Sequence, residues 1–301
     1  MPALSTGDIS IYYESHGQGE PLVMINGYGD NTGHWFRQID GLAREYRVVP
    51  FDNRGAGRSD KPDVPYTMQM LAQDVSGLLE ALETDAAHIY GVSMGGMIAQ
   101  EFALRYPRKV TSLILGCSTC GGSHMIMPDA EVMALLLDEE RPKRLAPEDA
   151  AREMFSFTCT QEFLDNNPDV VEQYIARTVE YVTPVYSLKR QAEAIMAHDT
   201  HDRLPQIKAP TLVIAGSADR LVPVENSRVL ASTIPGAQLV ILENVGHGFF
   251  YEAADEANRV ILDFLRRHPG SRQAFIQVDI NSQRRQMSTA MSKGRSTKCL
   301  H

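Results

Sequence analysis

Cysteine and tryptophan are scarce in this chain, and positive charge is outnumbered. Its 301 residues include four Cys and one Trp, and 29 Lys and Arg face 38 Asp and Glu for a net charge of −9. An acidic surface of that kind repels polyanions, so neither nucleic acid nor an anionic membrane is an expected partner. The cysteines, Cys117, Cys120, Cys159 and Cys299, contain a single C-x-x-C spacing. Without a second pair there is no zinc-type ligand set, no metal is expected, and the thiols should remain reduced. No apolar run approaches the length of a membrane span, and Met1 to Asp8 carries neither the basic nor the apolar region of a secretory signal. A cytoplasmic location is the resulting expectation. Internal repeats are also missing.

What is present is an ordinary globular composition, 43% hydrophobic and 22% charged, in a length that fits one large or two small domains. Apolar strand-like runs at Leu22–Ile25, Tyr46–Phe51, Ala87–Tyr90, Ser112–Leu115, Thr211–Gly216 and Gln238–Leu242 alternate with helical stretches. Those helices are expected near 33–44, 67–83, 94–106, 224–233 and 253–267. Such alternation predicts an α/β fold with a mostly parallel sheet covered by helices on both faces.

The most informative segment is Gly91-Val92-Ser93-Met94-Gly95. A strand-like run precedes it and a helix-forming run follows, the context of a nucleophile elbow. There a tight strand-to-helix turn exposes a serine hydroxyl, and the flanking glycines leave room for the crossing backbone. A serine nucleophile needs a base, and the base an orienting acid. Asp219 follows the strand at 211–216, and His247 follows the strand at 238–242 in a Gly-flanked loop. Ser93, Asp219 and His247 are therefore the candidate triad, with Glu243 a second candidate for the acid. Their order along the chain, Ser then Asp then His, distinguishes this arrangement from triads built on unrelated folds.

With these residues in view, the chain resembles the cap-bearing α/β-hydrolases, over about residues 8 to 267. The family includes esterases, 3-oxoadipate enol-lactonases, small carboxylesterases and cofactor-free perhydrolases. Leu22-Val23-Met24-Ile25-Asn26-Gly27-Tyr28-Gly29 resembles its oxyanion strand and loop, with Asn26 where His is usual. The resemblance implies an oxyanion hole built from the backbone N–H groups of Tyr28 and Met94. Asp52-Asn53-Arg54-Gly55-Ala56-Gly57-Arg58-Ser59 resembles a family turn, in which Asp52 and Arg54 are expected to bond backbone groups beside that loop. As a phosphate cradle it is excluded, having neither G-x-G-x-x-G nor a P-loop lysine.

Between about 121 and 204 the strand signals stop, and short amphipathic patterns are separated by Pro142, Pro147, Pro168 and Pro184. Here the family inserts a helical cap, so the expected organisation is a core of 1–120 and 205–268 with a cap at 121–204. A basic tail of 269–301 would be disordered or foreign to the domain. Candidate pocket walls are Tyr28, Trp35, Met125, Met127 and Phe249. A substrate carrying a carboxylate would call for a cap cation, with Arg141, Lys143, Arg144, Arg152, Arg177, Lys189 and Arg190 available. The implied activity is cofactor-free hydrolysis of a small ester or lactone through an acyl-enzyme. Perhydrolysis and carbon–carbon bond hydrolysis are alternatives on the same elbow, and ligand reception without turnover is a more distant one. A homodimer is left open.

Overall fold

The computed structural model describes residues 3–136, 138 and 144–270. Two short strands, β1 (Ala3–Ser5) and β2 (Ser10–Tyr12), form an antiparallel ribbon at the start of the chain. The main sheet has six strands: β3 (Pro21–Ile25), β4 (Arg47–Phe51), β5 (Ala87–Val92), β6 (Val110–Gly116), β7 (Thr211–Gly216) and β8 (Gln238–Leu242). All are parallel, in the order β4-β3-β5-β6-β7-β8. Every residue of β5 and β7 is buried, which is why those strands read as largely apolar runs rather than alternating ones.

Helices cover both faces. They are α1 (Ile39–Leu42), α2 (Met68–Ala81), α3 (Met94–Arg105), α4 (Ala130–Leu136), α5 (Pro147–Thr158), α6 (Gln161–Asn166), α7 (Pro168–Glu180), α8 (Val185–Met196), α9 (Glu225–Thr233), α10 (Phe249–Glu252) and α11 (Ala254–Arg267). Successive residues of β3 feed opposite cores. Val23 and Ile25 pack with Leu78, Ile98 and Leu230 from α2, α3 and α9. Leu22 and Met24 pack with Ile261, Phe264 and Phe155 from α11 and α5. This is the period-two alternation of a sheet buried on both sides.

One expectation needs correction. The helix foreseen at 33–44 is a 3-10 turn at Thr32–Trp35 followed by the single turn of α1. Glycines at 33 and 41 weaken a helix there, and Gly41 is needed where α11 comes close: a Cβ on it would stand 2.4 Å from Asn258 Nδ2. The helix foreseen at 253–267 is α11, which Ala253 separates from the short α10 before it by leaving helical geometry. Helices α4 to α8 occupy the chain between β6 and β7. The tail lies outside the described residues beyond Gly270, as does Cys299. Among the described residues, no helix is long and apolar enough to cross a membrane.

Candidate active site

Ser93 stands between the last residue of β5 and the first of α3, with φ 53° and ψ −122°. A side-chain-bearing residue holds such a conformation at a cost of about 1–3 kcal/mol, met by the surrounding structure. Here the Ser93 amide donates to the Gly116 carbonyl at 2.9 Å, and Ser118 Oγ donates to the Ser93 carbonyl at 2.8 Å. The flanking glycines have a steric cause. A Cβ on Gly91 would lie 2.1 Å from the Gly95 oxygen, and one on Gly95 would lie 2.2 Å from the Ile25 oxygen. Any side chain at either place would force β3, β5 and α3 apart.

The loops after β7 and β8 bring Asp219 and His247 together. Asp219 Oδ2 lies 2.8 Å from His247 Nδ1, while its Oδ1 accepts from the amides of Leu221 and Val222 at 2.9 and 2.8 Å. Glu243, the other candidate acid, is exposed at the end of β8 and takes no part. Both members of the pair are buried. Burial by itself drives the His247 pKa down, yet the Asp219 carboxylate and the adjacent Cys117 together hold the value well above the ordinary 6.5. The His247 loop is fixed in turn by Glu252, whose Oε2 accepts from the amides of Gly246 and Thr160 at 3.0 and 3.2 Å.

Cys117 is a neighbour that its position after β6 placed only loosely. Its donor atom and those of Asp219 and His247 lie within 4.8 Å of one another, the one such grouping among the described residues that could hold a metal ion. Burial raises the Cys117 thiol above its usual pKa, which keeps it protonated at neutral pH and a poor metal ligand. Ser93 Oγ makes no hydrogen bond among the described residues, and both Ser93 and His247 face a common pocket.

The loop after β3 supplies Tyr28, whose amide, like that of Met94, is bonded to no other protein group among the described residues. Asn26 does structural work: its Nδ2 donates to the Phe51 carbonyl at 2.6 Å, and its own carbonyl accepts from Asn53 Nδ2 at 2.9 Å. Asp52 behaves as expected, accepting from the amides of Thr32 and Arg58 at 2.6 and 2.7 Å. Arg54 does not. Its guanidinium pairs with the buried Asp74 at 2.7 Å and with Asp8 at 3.0 Å. Two residues that the sequence reading missed hold the loop from above: the Gly29 amide donates to Gln191 Oε1 and Thr183 Oγ1 donates to the Gly29 carbonyl, each at 2.9 Å.

The pocket has a volume of about 510 Å³. Tyr28, Met125 and Met127 line it, together with Met97, Met133 and Met154. Burial raises the Tyr28 hydroxyl to a pKa of about 12, so it stays neutral. Trp35 and Phe249 are corrections. Trp35 is buried behind the wall, its ring 5.2 Å from that of Tyr90 and 5.5 Å from that of Phe250. Phe249 points under the sheet, where its ring meets the position a Gly116 side chain would occupy. The residues that reach the pocket are the next two, Phe250 and Tyr251, since successive side chains of a helix turn by about 100°. None of the foreseen cap cations lines it among the described residues. Arg144 pairs with Asp138, Arg152 with Glu172 and Arg190 with Asp63, while the Arg177 guanidinium lies over Phe36. Arg141 and Lys143 fall outside the described residues.

Comparison with known proteins adds to this geometry. The profile of the alpha/beta hydrolase fold matches residues 20–254. The RutD protein of Azorhizobium caulinodans, assigned as a carbamate hydrolase, is 31% identical over 264 residues, covering 88% of this chain and 98% of its own. The 2-hydroxy-6-oxo-6-phenylhexa-2,4-dienoate hydrolase of Comamonas testosteroni is 32% identical over 274 residues, covering 86% and 92% respectively. Among solved structures, the enol-lactonase of Burkholderia xenovorans LB400 superposes with a TM-score of 0.78 at 26% identity, covering 88% of this chain and all of that one.

Proposed function

This chain belongs to the α/β-hydrolase family, and from that premise we propose that it is a serine hydrolase cleaving small carboxylic esters or lactones through an acyl-enzyme. The observation that carries the reading is Ser93, held in a strained turn at the end of β5 and facing the pocket that His247 also lines. His247 takes the Ser93 proton as the hydroxyl attacks the carbonyl carbon. Asp219, bonded to Nδ1, keeps Nε2 free for that proton and stabilises the imidazolium. The amides of Tyr28 and Met94 donate to the carbonyl oxygen as it becomes an oxyanion. His247 then returns the proton to the leaving alkoxide, or to the ring oxygen of a lactone, and the same imidazole activates the water that releases the acid. No step calls for a metal or organic cofactor.

A second reading, hydrolysis of a carbon–carbon bond in a 2-hydroxy-6-oxodienoate, is favoured by the Comamonas relative. The two are separated by presenting methyl and p-nitrophenyl esters beside 2-hydroxy-6-oxo-6-phenylhexa-2,4-dienoate. Ester turnover, loss of that turnover in Ser93→Ala, and labelling of the parent protein but not the variant by a fluorophosphonate are the expected results. Faster turnover of the dienoate would favour the second reading, and a fully active Ser93→Ala would sink both.

A further inference from the structure

The pocket that Ser93 and His247 share is walled and rimmed by apolar side chains. Seven large apolar side chains are exposed among the described residues, and five of them, Met127, Leu136, Val182, Val185 and Met196, line this pocket. Exposed apolar area that would elsewhere be scattered is gathered into one rim, and such concentrations mark binding surfaces. Below the rim the wall continues with Met97, Met133, Met154, Leu188 and Ile195, unbranched and branched aliphatic groups that adapt to a flexible apolar chain.

The charge inside is negative. Asp30 lines the pocket one residue beyond the Gly29 that α8 holds in place. A methyl group built on Gly27 would stand 3.0 Å from Asp30 Oδ2 and 3.5 Å from Ser93 Cβ, so little more than that width separates the carboxylate from the nucleophile's side chain. Asp30 Oδ1 lies 2.7 Å from His34 Nδ1, with the ring not aligned to donate to it. Apart from His247, no cationic or potentially cationic side chain lines the pocket among the described residues. A substrate carboxylate would be desolvated against aliphatic walls and would meet the Asp30 carboxylate beside the reacting carbonyl, with no Lys or Arg on the pocket wall among the described residues to offset either effect.

We propose that the pocket selects an uncharged ester or lactone with a long apolar acyl chain, and that Asp30 excludes substrates carrying a carboxylate near the scissile carbonyl. The proposal rests on the serine-hydrolase reading and names its substrate class. The chain would lie along the methionine wall with its end at the apolar rim, and the short polar part would lie between Ser93 and Asp30.

The test compares kcat/KM on matched methyl esters, followed as acid release: methyl acetate, methyl butyrate, methyl octanoate, and the monomethyl esters of succinic and suberic acids. Methyl octanoate should exceed both methyl acetate and monomethyl suberate by about tenfold or more, and methyl butyrate should exceed monomethyl succinate similarly. In Asp30→Asn the gap between butyrate and succinate should narrow several-fold, while the gap between octanoate and suberate, set by the walls, should persist. Met196→Glu, at an exposed rim position, should reduce octanoate turnover relative to acetate without threatening the fold. Equal or preferred turnover of the monoacid esters, including through Arg141 or Lys143, would overturn the proposal even with esterase activity intact. No turnover of any ester, together with no fluorophosphonate labelling of Ser93, would instead remove the hydrolase reading beneath it.

Discussion

At the scale of single residues, the proposed mechanism has His247 and Asp219 set the acid side of the activity. A His247 that carries its proton cannot accept one from Ser93. Because Asp219 and the adjacent Cys117 together hold the imidazolium above the ordinary value of 6.5, kcat/KM should fall on acidification through a pKa higher than that and rise above it. A pH profile on a neutral ester measures this, and an acid limb well below 6.5 would contradict the pairing. Asp219→Asn removes the charge and favours the wrong tautomer, so it should cost about 10³–10⁴ in kcat. Glu243→Gln should leave kcat nearly unchanged, as befits an exposed side chain outside the site. The strain at Ser93 makes a separate statement about stability. Glycine adopts φ 53° and ψ −122° more readily, so Ser93→Gly should abolish turnover yet raise unfolding free energy by about 1 kcal/mol, read from denaturant midpoints. A variant less stable than the parent would mean that the hydroxyl makes a bond worth more than the strain.

At the scale of elements, α8 and the loop after β3, the proposed oxyanion loop, are joined by the Gln191 side chain. Gln191 is fully buried and bridges the two, accepting from the Gly29 amide at 2.9 Å and donating to the Arg54 carbonyl at 3.1 Å. Gln191→Leu fills similar volume but strands both backbone groups, at about 1–3 kcal/mol for each unsatisfied partner. Since the Tyr28 amide is carried by that loop, kcat should fall by about tenfold with KM moved less, the signature of weakened transition-state binding rather than lost substrate affinity. Loss of stability with unchanged kcat would show that the bridge is structural alone. The elements themselves were readable to different depths. Strands β5 and β7 announced themselves because burial on both faces demands largely apolar runs, with His88 of β5 bonded to Ser112 and Glu20. The region of α1 did not, since Gly41 answers to the close approach of α11, a partner more than two hundred residues away in sequence, and Gly33 to Arg177 of α7.

For the whole molecule, the described chain closes around both cores by Gly270, whose amide donates to Glu20 Oε1 at 2.8 Å. Residues 271–301 are polar and basic, with Lys and Arg outnumbering the single acid Asp279, and offer little apolar area to offset ordering. Truncation after Gly270 should leave ester turnover within about a factor of two and shift stability by about 1 kcal/mol or less. Steady-state kinetics and urea unfolding check this. Loss of activity, or a change of oligomeric state by size exclusion, would show that the tail packs on the body or on a second copy.

The candidate groups Ser93, Asp219 and His247 could be picked out in the amino-acid string because each is tied to local backbone constraints. A strained serine needs Gly91 and Gly95 at fixed spacing, and parallel strands that end at the same edge deliver Asp219 and His247 in a fixed order. The choice between Asp219 and Glu243 belonged to three-dimensional geometry, because both follow strands and only the imidazole's position separates them. So did the walls of the pocket. Trp35, Phe249, Phe250 and Tyr251 are all aromatic residues near the site in sequence or space, and which of them face the cavity depends on helix phase and on what packs behind. Asp30 is the sharpest case: an acid in a polar loop reads as solvated until the fold of the β3 loop sets its carboxylate beside Ser93 and lays the aliphatic faces of the cap helices along the same cavity.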